Sequence, residues 1–413
     1  MNTMTVTPEA TMTATERAQH IAEALADPET VNLRHEATHE SLGAGKLGVA
    51  LLHLERARRE QGDSARAHAW LRTSIHPAIN SSAASNLFNG TPALAFSLHT
   101  TGAHALYKSQ WTKLHQRAKE ITAERLNLAQ QRMKANRPGS FVEFGQLSGL
   151  TGLGTYLLHT EPTAKLTGEV LSYLVDLTRP LKLDGVTVPG WWANHDPYLG
   201  QSDAFPTGHA NLGCAHGIGG VLALLAIAMR TGITVPGHRD AVELICAVYD
   251  AWQHENGWWP QWITLTDVKD GHISQPGPGR SSWCYGAPGI ARSLQMAAIA
   301  LRDPIRQRRA EDALLRCLAD EDQRNTLTDS GLCHGLAGLY RIAQRAAEDA
   351  QDTQLVEALP GILHRLLTAD SVESGFLDGD AGVALVLHEA GTPIDEGSTW
   401  DSALLLAAPR GPQ

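Results

Sequence analysis

Apolar residues recur along the chain in seven short runs with helical spacing, and each run follows the same small motif. The motif is a glycine, two further residues and a small residue, as in Gly45 to Gly48 before the run VALLHL. A periodic apolar run of this kind is typical of a helix, and small residues at its start let backbones approach closely. The seven copies begin at Gly45, Gly90, Gly149, Gly217, Gly286, Gly335 and Gly379. One copy carries no weight, but seven predict a repeated helical unit.

Amphipathic patterns fill the stretches between the motif copies. Apolar residues share one helical face at Leu166, Val170, Leu174 and Leu177, at Val242, Ile245, Val248, Tyr249 and Trp252, and at Leu355, Leu359, Ile362 and Leu366. Pro360 interrupts the last pattern. Each repeat is therefore predicted to be an outer helix, a loop and an inner helix. Seven such hairpins predict an all-α fold in the form of an α/α toroid.

The spacing of the repeats predicts one domain with additions. The domain is expected over residues 18–405, between a Thr-rich disordered tail at residues 1–17 and a short C-terminal tail at residues 406–413. The longest gaps between repeats leave room for loop insertions near residues 179–212 and 256–282, which are rich in Gly, Pro and Trp. These loops either contact a substrate or pack for their own stability.

Charge and composition exclude several classes of function. The net charge of −10 disfavours nucleic acid as the main partner, because phosphate binding needs a basic surface. The chain lacks an apolar stretch of about 18 residues, which a membrane span would need, and it shows no signal peptide pattern. A cytoplasmic protein is therefore expected. Five cysteines in 413 residues argue against a disulfide framework. Each cysteine is then either a buried core residue or a reactive group.

Cysteine and histidine occupy equivalent positions directly before three of the motif glycines. Cys284 precedes Gly286 by two residues, Cys333 and His334 precede Gly335, and His216 precedes Gly217. Cys284, Cys333 and His334 make a three-ligand set that suits zinc with one open position. Two thiolates make such a zinc a poor activator of water, but a third sulfur bound there would be held as a nucleophilic thiolate.

The segments WCYGAPG, LCHGLAG and AHGIGG resemble the signature segments of the lanthionine synthetase C-like (LanC) family, the cyclases of lanthipeptide biosynthesis. The resemblance covers about residues 40–400 and all seven glycine motifs. It implies an α/α toroid that binds Zn²⁺ through Cys284, Cys333 and His334. It also implies an acid/base role for His216, with Arg280 and Tyr285 as catalytic helpers.

One family position departs from the pattern. The family usually places an aspartate four residues before the glycine of its third repeat, and this chain has Gly145 there. Glu143 is the nearest acidic residue. It either replaces the missing carboxylate or is a solvated loop residue.

The resemblance implies Michael-type addition of Cys thiolates to dehydroalanine or dehydrobutyrine, which forms lanthionine and methyllanthionine rings. It implies as partners a dehydrated, leader-bearing precursor peptide and a separate dehydratase, with a transporter as a further candidate member of the complex. Two alternatives stay open. The protein could join another thiol, such as glutathione, to dehydrated peptides, or it could be a non-catalytic scaffold of a modification complex.

Overall fold

The computed structural model describes residues 8–31, 33, 39–76, 78–350, 352–370, 373–391 and 399–407, and these are mostly helical. The α-helices are α1 Pro8–Ala24, α2 Lys46–Arg58, α3 Ser64–Ser74, α4 Thr91–Thr100, α5 Lys108–Lys134, α6 Phe141–Phe144, α7 Leu150–Thr160, α8 Lys165–Asp176, α9 Ile218–Arg230, α10 His238–Ala251, α11 Leu265–Asp270, α12 Ala287–Leu301, α13 Pro304–Ala319, α14 Glu321–Asn325, α15 Leu336–Asp349, α16 Gln354–Thr368 and α17 Asp380–Ala390. The strands are β1 Leu181–Leu183, β2 Val186–Val188, β3 His209–Asn211 and β4 Trp262–Thr264. The predicted helical class is confirmed.

The chain divides into two compact units. Unit 1 comprises the described residues of Met1–Ala118 and Asn325–Trp400, and unit 2 those of Lys119–Arg324 and Asp401–Gly411. In unit 1, α2 packs on α3, α15 on α16 and α17 on α1, and α5 reaches α4 through Trp111, which donates from Nε1 to the Ala95 carbonyl at 3.2 Å. In unit 2, α7 packs on α8, α9 on α10 and α12 on α13. Each of the seven predicted inner helices thus has an outer partner. Their closure into a toroid, and the single domain over residues 18–405, stay predictions.

The inner helices begin where the motif predicts. In all seven, the motif glycine is the N-cap residue and the helix starts directly after it. The small residue three positions later has a steric reason. A Cβ placed on Gly338 would lie 2.0 Å from the Leu332 carbonyl oxygen of its own loop. A larger residue there would push the loop off the helix start.

Backbone hydrogen bonds join the loops that precede neighbouring inner helices, and we call this set of bonds the loop ladder. Its donors lie two or three residues before one motif glycine, and its acceptor carbonyl lies two residues before the motif glycine of the next loop. The bonds in unit 1 are Leu42 to Phe88 (2.9 Å), Leu377 to Gly43 (2.8 Å), and Leu332 and Cys333 to Leu377 (2.6 and 2.8 Å). Those in unit 2 are Leu147 to Ala215 (3.1 Å), and Cys214 and Ala215 to Cys284 (2.8 and 3.3 Å). Within each unit, the residue directly before each motif glycine therefore takes an equivalent place.

The two insertions contain short strands instead of purely irregular loops. β1 and β2 form one antiparallel pair, and β3 pairs with β4 with His209 opposite Thr264, so the second pair ties the two insertions together. Most tryptophans of the insertions are buried, namely Trp191, Trp192, Trp258 and Trp259. Packing, rather than substrate contact, accounts for these four side chains.

Both predicted tails need correction where they are described. Residues Pro8 to Arg17 were expected to be disordered, but they belong to helix α1. The helix is held in place because Ala14 and Ala18 are buried and Thr15 Oγ1 donates to the Gly391 carbonyl at 3.3 Å. Leu406, the expected start of the C-terminal tail, is buried, and its carbonyl accepts from Arg292 Nη2 at 2.8 Å. Residues 1–7 and 408–413 lie outside the described residues. Across the described part of the chain, no helix combines the length and the apolar character that a membrane span requires.

Candidate functional site

Two bonded loops of unit 2 carry several of the predicted site residues. The loop before α9 holds His216, and the loop before α12 holds Cys284 and Tyr285. The loop ladder joins them, because the amides of Cys214 and Ala215 donate to the Cys284 carbonyl. The Cys284 side chain is nearly buried, at 8% exposure. The backbone therefore fixes this thiol and the His216 imidazole relative to each other.

The His216 imidazole is neutral at neutral pH. Its ring packs against Phe141, with ring centroids 4.7 Å apart, and lies 6.1 Å from the Tyr285 ring. Burial lowers the pKa of His216 to about 4. Its Nδ1 atom is buried and has no hydrogen-bond partner among the described residues. A neutral imidazole of this kind accepts a proton before it can donate one.

A loop of unit 1 carries the other predicted metal ligands. Cys333 and His334 lie directly before the N-cap glycine of α15, and the side chain of Cys333 is 9% exposed. The His334 side chain is 33% exposed, and a carboxylate lies near each ring nitrogen. Nδ1 is 3.4 Å from Asp378 Oδ1, and Nε2 is 3.6 Å from Asp329 Oδ2. This loop thus offers a thiol and an imidazole from consecutive residues, which is a natural pair of zinc donors.

Comparison with known proteins identifies the relatives of the chain. Residues 36–405 match the model of the lanthionine synthetase C-like protein family. The chain belongs to this family. The nisin biosynthesis protein NisC of Lactococcus lactis subsp. lactis is 26% identical over 276 residues, which cover 64% of this chain and 64% of that protein. The match therefore spans less than two thirds of the length of that relative.

A solved structure agrees with this family membership at the level of the fold. The structure of nisin cyclase superposes with a TM-score of 0.75 at 20% identity and covers 97% of this chain and 98% of that chain. The predicted family is thus confirmed, and the helical fold is that of nisin cyclase.

The chain has a steric reason for glycine at position 145, where the family resemblance predicts an aspartate. A Cβ placed on Gly145 would lie 2.7 Å from the Phe141 carbonyl oxygen, 3.2 Å from His216 Cα and 3.3 Å from the Ala215 carbonyl oxygen. Gly145 therefore packs directly on the backbone that carries His216. With no side chain at this position, Gly145 offers no carboxylate to the buried Nδ1 of His216.

Glu143 is neither solvated nor free to replace that aspartate. Its Oε1 accepts from Arg132 Nη2 and from the Tyr173 hydroxyl, each at 2.6 Å, and its Oε2 accepts from Arg132 Nε at 3.2 Å. Its side chain is only 20% exposed. Both carboxylate oxygens thus form hydrogen bonds that connect α5, α6 and α8.

The two remaining catalytic candidates lie in the same segment of unit 2 as Cys284. Tyr285 is half-buried, and its amide donates to Ser282 Oγ at 3.4 Å. The Arg280 side chain is exposed. Their catalytic roles stay predictions.

The motifs in the sequence did not point to Asp378 and Asp329, although a usable signal was present for Asp378. Asp378 lies directly before the motif glycine Gly379, which is the position that His216, Tyr285 and His334 hold in their own loops. Asp329 lies six residues before its motif glycine and has no such marker. A search of every position directly before a motif glycine would have found Asp378.

The other cysteines are packed core residues. Cys214 and Cys246 are buried, and burial raises the pKa of each thiol to about 12. Cys317 is buried as well, and its Sγ donates to Ser281 Oγ at 3.2 Å.

Proposed function

We propose that this chain is a zinc-dependent lanthipeptide cyclase, which adds cysteine thiols to dehydroalanine or dehydrobutyrine residues of a precursor peptide. The observation that carries the proposal is positional. The loops with Cys284, with Cys333 and His334, and with His216 all lie directly before the N-cap glycine of an inner helix, as the family motifs require. Membership of the LanC-like family over residues 36–405 supports the same activity.

Zinc is the metal that the donor set fits. We propose Cys284, Cys333 and His334 as the three ligands, because two thiols and one imidazole are an established catalytic zinc set. Both cysteine side chains are nearly buried, whereas His334 is one-third exposed, which suits ligands that face an open coordination position. When bound, zinc would hold the substrate cysteine as a thiolate that still attacks carbon.

The protein side chains supply the proton chemistry. The substrate sulfur bonds to Cβ of the dehydroamino acid, and the electron pair of the Cα–Cβ double bond moves toward the carbonyl as an enolate. His216, neutral at neutral pH, takes up the thiol proton and returns it to Cα, so the ring closes with no change in mass. Arg280 and Tyr285 are the candidates to stabilise the negative charge on the enolate oxygen.

The substrate and partners follow from this chemistry. The substrate would be a dehydrated, leader-bearing precursor peptide, so a separate dehydratase must act first, and a transporter is a further candidate partner. A cytoplasmic location is the expectation that accompanies this proposal. One observation favours the scaffold alternative: no carboxylate among the described residues bonds to His216 Nδ1.

Cyclisation of the dehydrated precursor tests the proposal. The zinc-loaded protein should remove free thiols from the peptide without changing its mass, and it should contain about one zinc per chain. Cys284→Ala with Cys333→Ala should abolish zinc binding, whereas the buried core variant Cys246→Ala should keep it.

The His216→Asn variant separates the enzyme from the scaffold. This variant should keep its zinc and lose about 10²- to 10⁴-fold in cyclisation rate, as expected for removal of a general acid/base. A scaffold would bind the peptide without thiol loss. Thiol loss that requires added glutathione would instead support the alternative thiol. Full zinc retention by the double cysteine variant would refute the ligand assignment.

A further inference from the structure

The carboxylates beside His334 differ in what else holds them. Asp329 belongs to the loop of His334 itself, and its Oδ1 accepts from the Gly331 amide at 3.1 Å. Its remaining oxygen is 3.6 Å from Nε2. Asp329 therefore shapes its own loop, and its contact with the imidazole is the longer of the two.

Asp378 comes from the following hairpin, and the loop ladder locks it against His334. The amides of Leu332 and Cys333 both donate to the carbonyl of Leu377, the residue before Asp378. Leu377 in turn donates its own amide to the Gly43 carbonyl at 2.8 Å. The backbone that carries Asp378 is thus fixed on both sides, and its Oδ1 lies 3.4 Å from Nδ1 of His334.

We propose that Asp378 is the residue that positions His334 for zinc, by accepting the Nδ1 proton and leaving Nε2 for the metal. This inference rests on the proposed zinc function. An imidazole can bind zinc through one nitrogen only if the other carries the proton, and a carboxylate on that proton fixes both the tautomer and the ring orientation. Asp378 is placed to meet these conditions, because its backbone is fixed to that of the ligand pair and its Oδ1 lies 3.4 Å from Nδ1. Asp329 then has to yield its contact with Nε2 when the metal binds.

Zinc affinity tests the proposal without reference to catalysis. Asp378→Ala should lower the affinity for zinc by about 10- to 100-fold, measured by competition with a chromophoric chelator. Asp378→Asn should lie between that variant and the parent, because an amide oxygen still accepts the proton but lacks the charge. Asp380→Asn is the matched control. It removes a carboxylate two residues away, in the first turn of α17, and should change the affinity by less than about threefold.

Cobalt substitution provides a second measurement. The thiolate-to-cobalt absorption bands should persist in Asp378→Ala, which would show that the cysteines still bind while the imidazole is no longer held. Parental zinc affinity in Asp378→Ala, or an equal loss in Asp380→Asn, would overturn the role of Asp378. Failure of the parent protein to bind zinc would instead refute the proposed function. If Asp378→Ala does not fold, as judged by circular dichroism, the zinc affinity of Asp378→Asn tests the role of Asp378 in its place.

Discussion

A methyl group at Gly145 would test how closely the α6 segment packs on the backbone that carries His216. The Cβ of Gly145→Ala would lie 2.7 Å from the Phe141 carbonyl oxygen and 3.2 Å from His216 Cα. The first distance is too short, because a Cβ atom essentially never lies closer than 3.0 Å to such an atom. The three nearest atoms belong to the backbone, so no flexible side chain can move aside. The strain must then be relieved by a shift of α6 or of the His216 loop.

The size of the effect follows from two opposing contributions. Overpacking of a tight site costs about 1–3 kcal/mol. Replacement of glycine by alanine also restricts the unfolded chain, which stabilises the protein by about 0.4–1 kcal/mol. We therefore expect Gly145→Ala to lower the free energy of unfolding by about 0.5–2 kcal/mol. For a cooperative unit of 150–250 residues, about 1 kcal/mol lowers the thermal midpoint by about 2–4 °C.

Gly168→Ala is the matched control for this measurement. Gly168 lies inside α8 of the same unit, and a Cβ there meets nothing within 4 Å. This variant should therefore be more stable than the parent by about 0.5–1 kcal/mol, because glycine is unfavourable in a helix interior. Thermal unfolding followed by circular dichroism should thus move the two midpoints in opposite directions.

Catalysis supplies the second measurement at Gly145. A displaced His216 should slow cyclisation, because a misplacement of about 1 Å can cost about 10²-fold. Gly145→Asp, which introduces the aspartate that the family resemblance predicts, should not raise the rate, since its Cβ meets the same backbone atoms. The close-packing argument is refuted if Gly145→Ala is as stable as the parent or if Gly145→Asp cyclises faster.

Two further predictions concern the surroundings of His216. Glu143→Gln should lower the free energy of unfolding by about 1–3 kcal/mol, because it removes the charge from the buried bonds with Arg132, and zinc content should not change. Its control is Glu169→Gln, because the ion-pair partner of Glu169, Lys165, is 90% exposed. This control should change the free energy of unfolding by no more than about 0.5 kcal/mol, and equal effects of the two variants would argue against a structural role for Glu143. His216 should make stability depend on pH, because its folded pKa of about 4 lies below the ordinary 6.5. Above pH 6.5 the folded and the unfolded chain bind the same number of protons at His216, but the unfolded chain binds one more as the pH falls toward 4. The free energy of unfolding therefore declines between pH 6.5 and pH 4 by up to about 3 kcal/mol. Unfolding of His216→Asn between pH 4 and 7 should show a shallower decline than the parent, and identical slopes would refute the burial argument.

The inner helices were accessible from sequence because the information is local. Each motif glycine stands next to the helix it caps, and each predicted zinc ligand stands within two residues of such a glycine. A repeated local pattern of this kind survives without knowledge of the tertiary contacts. The same reasoning predicted the apolar face of α10, where Val242, Ile245 and Tyr249 are buried.

The features that sequence analysis missed depend on contacts between distant segments. Helix α1 packs on α17 through an alanine-rich face that contrasts little with its Thr-rich surroundings, so no strong periodic signal marks it. The pairing of β3 with β4 joins segments about fifty residues apart along the chain. The partners of Glu143 lie on α5 and α8, and only the fold brings them to it.

The two histidines of the proposed chemistry have opposite surroundings, and these match the role proposed for each. His334 has a carboxylate beside each nitrogen, and a neighbouring carboxylate orients an imidazole as a metal ligand requires. His216 has no carboxylate partner on its buried Nδ1, and burial lowers its pKa to about 4. Once protonated, such an imidazole is a strong acid, so transfer of its proton to the enolate carbon is favoured. The earlier step, removal of the proton from the substrate thiol, is correspondingly less favourable. A weak base takes a proton from a thiol only if the thiol is itself acidified. With no carboxylate at Gly145, the proposed chemistry therefore relies on the proposed thiolate-forming ligand set, and the cyclisation rate should depend more steeply on that set than on the basicity of His216.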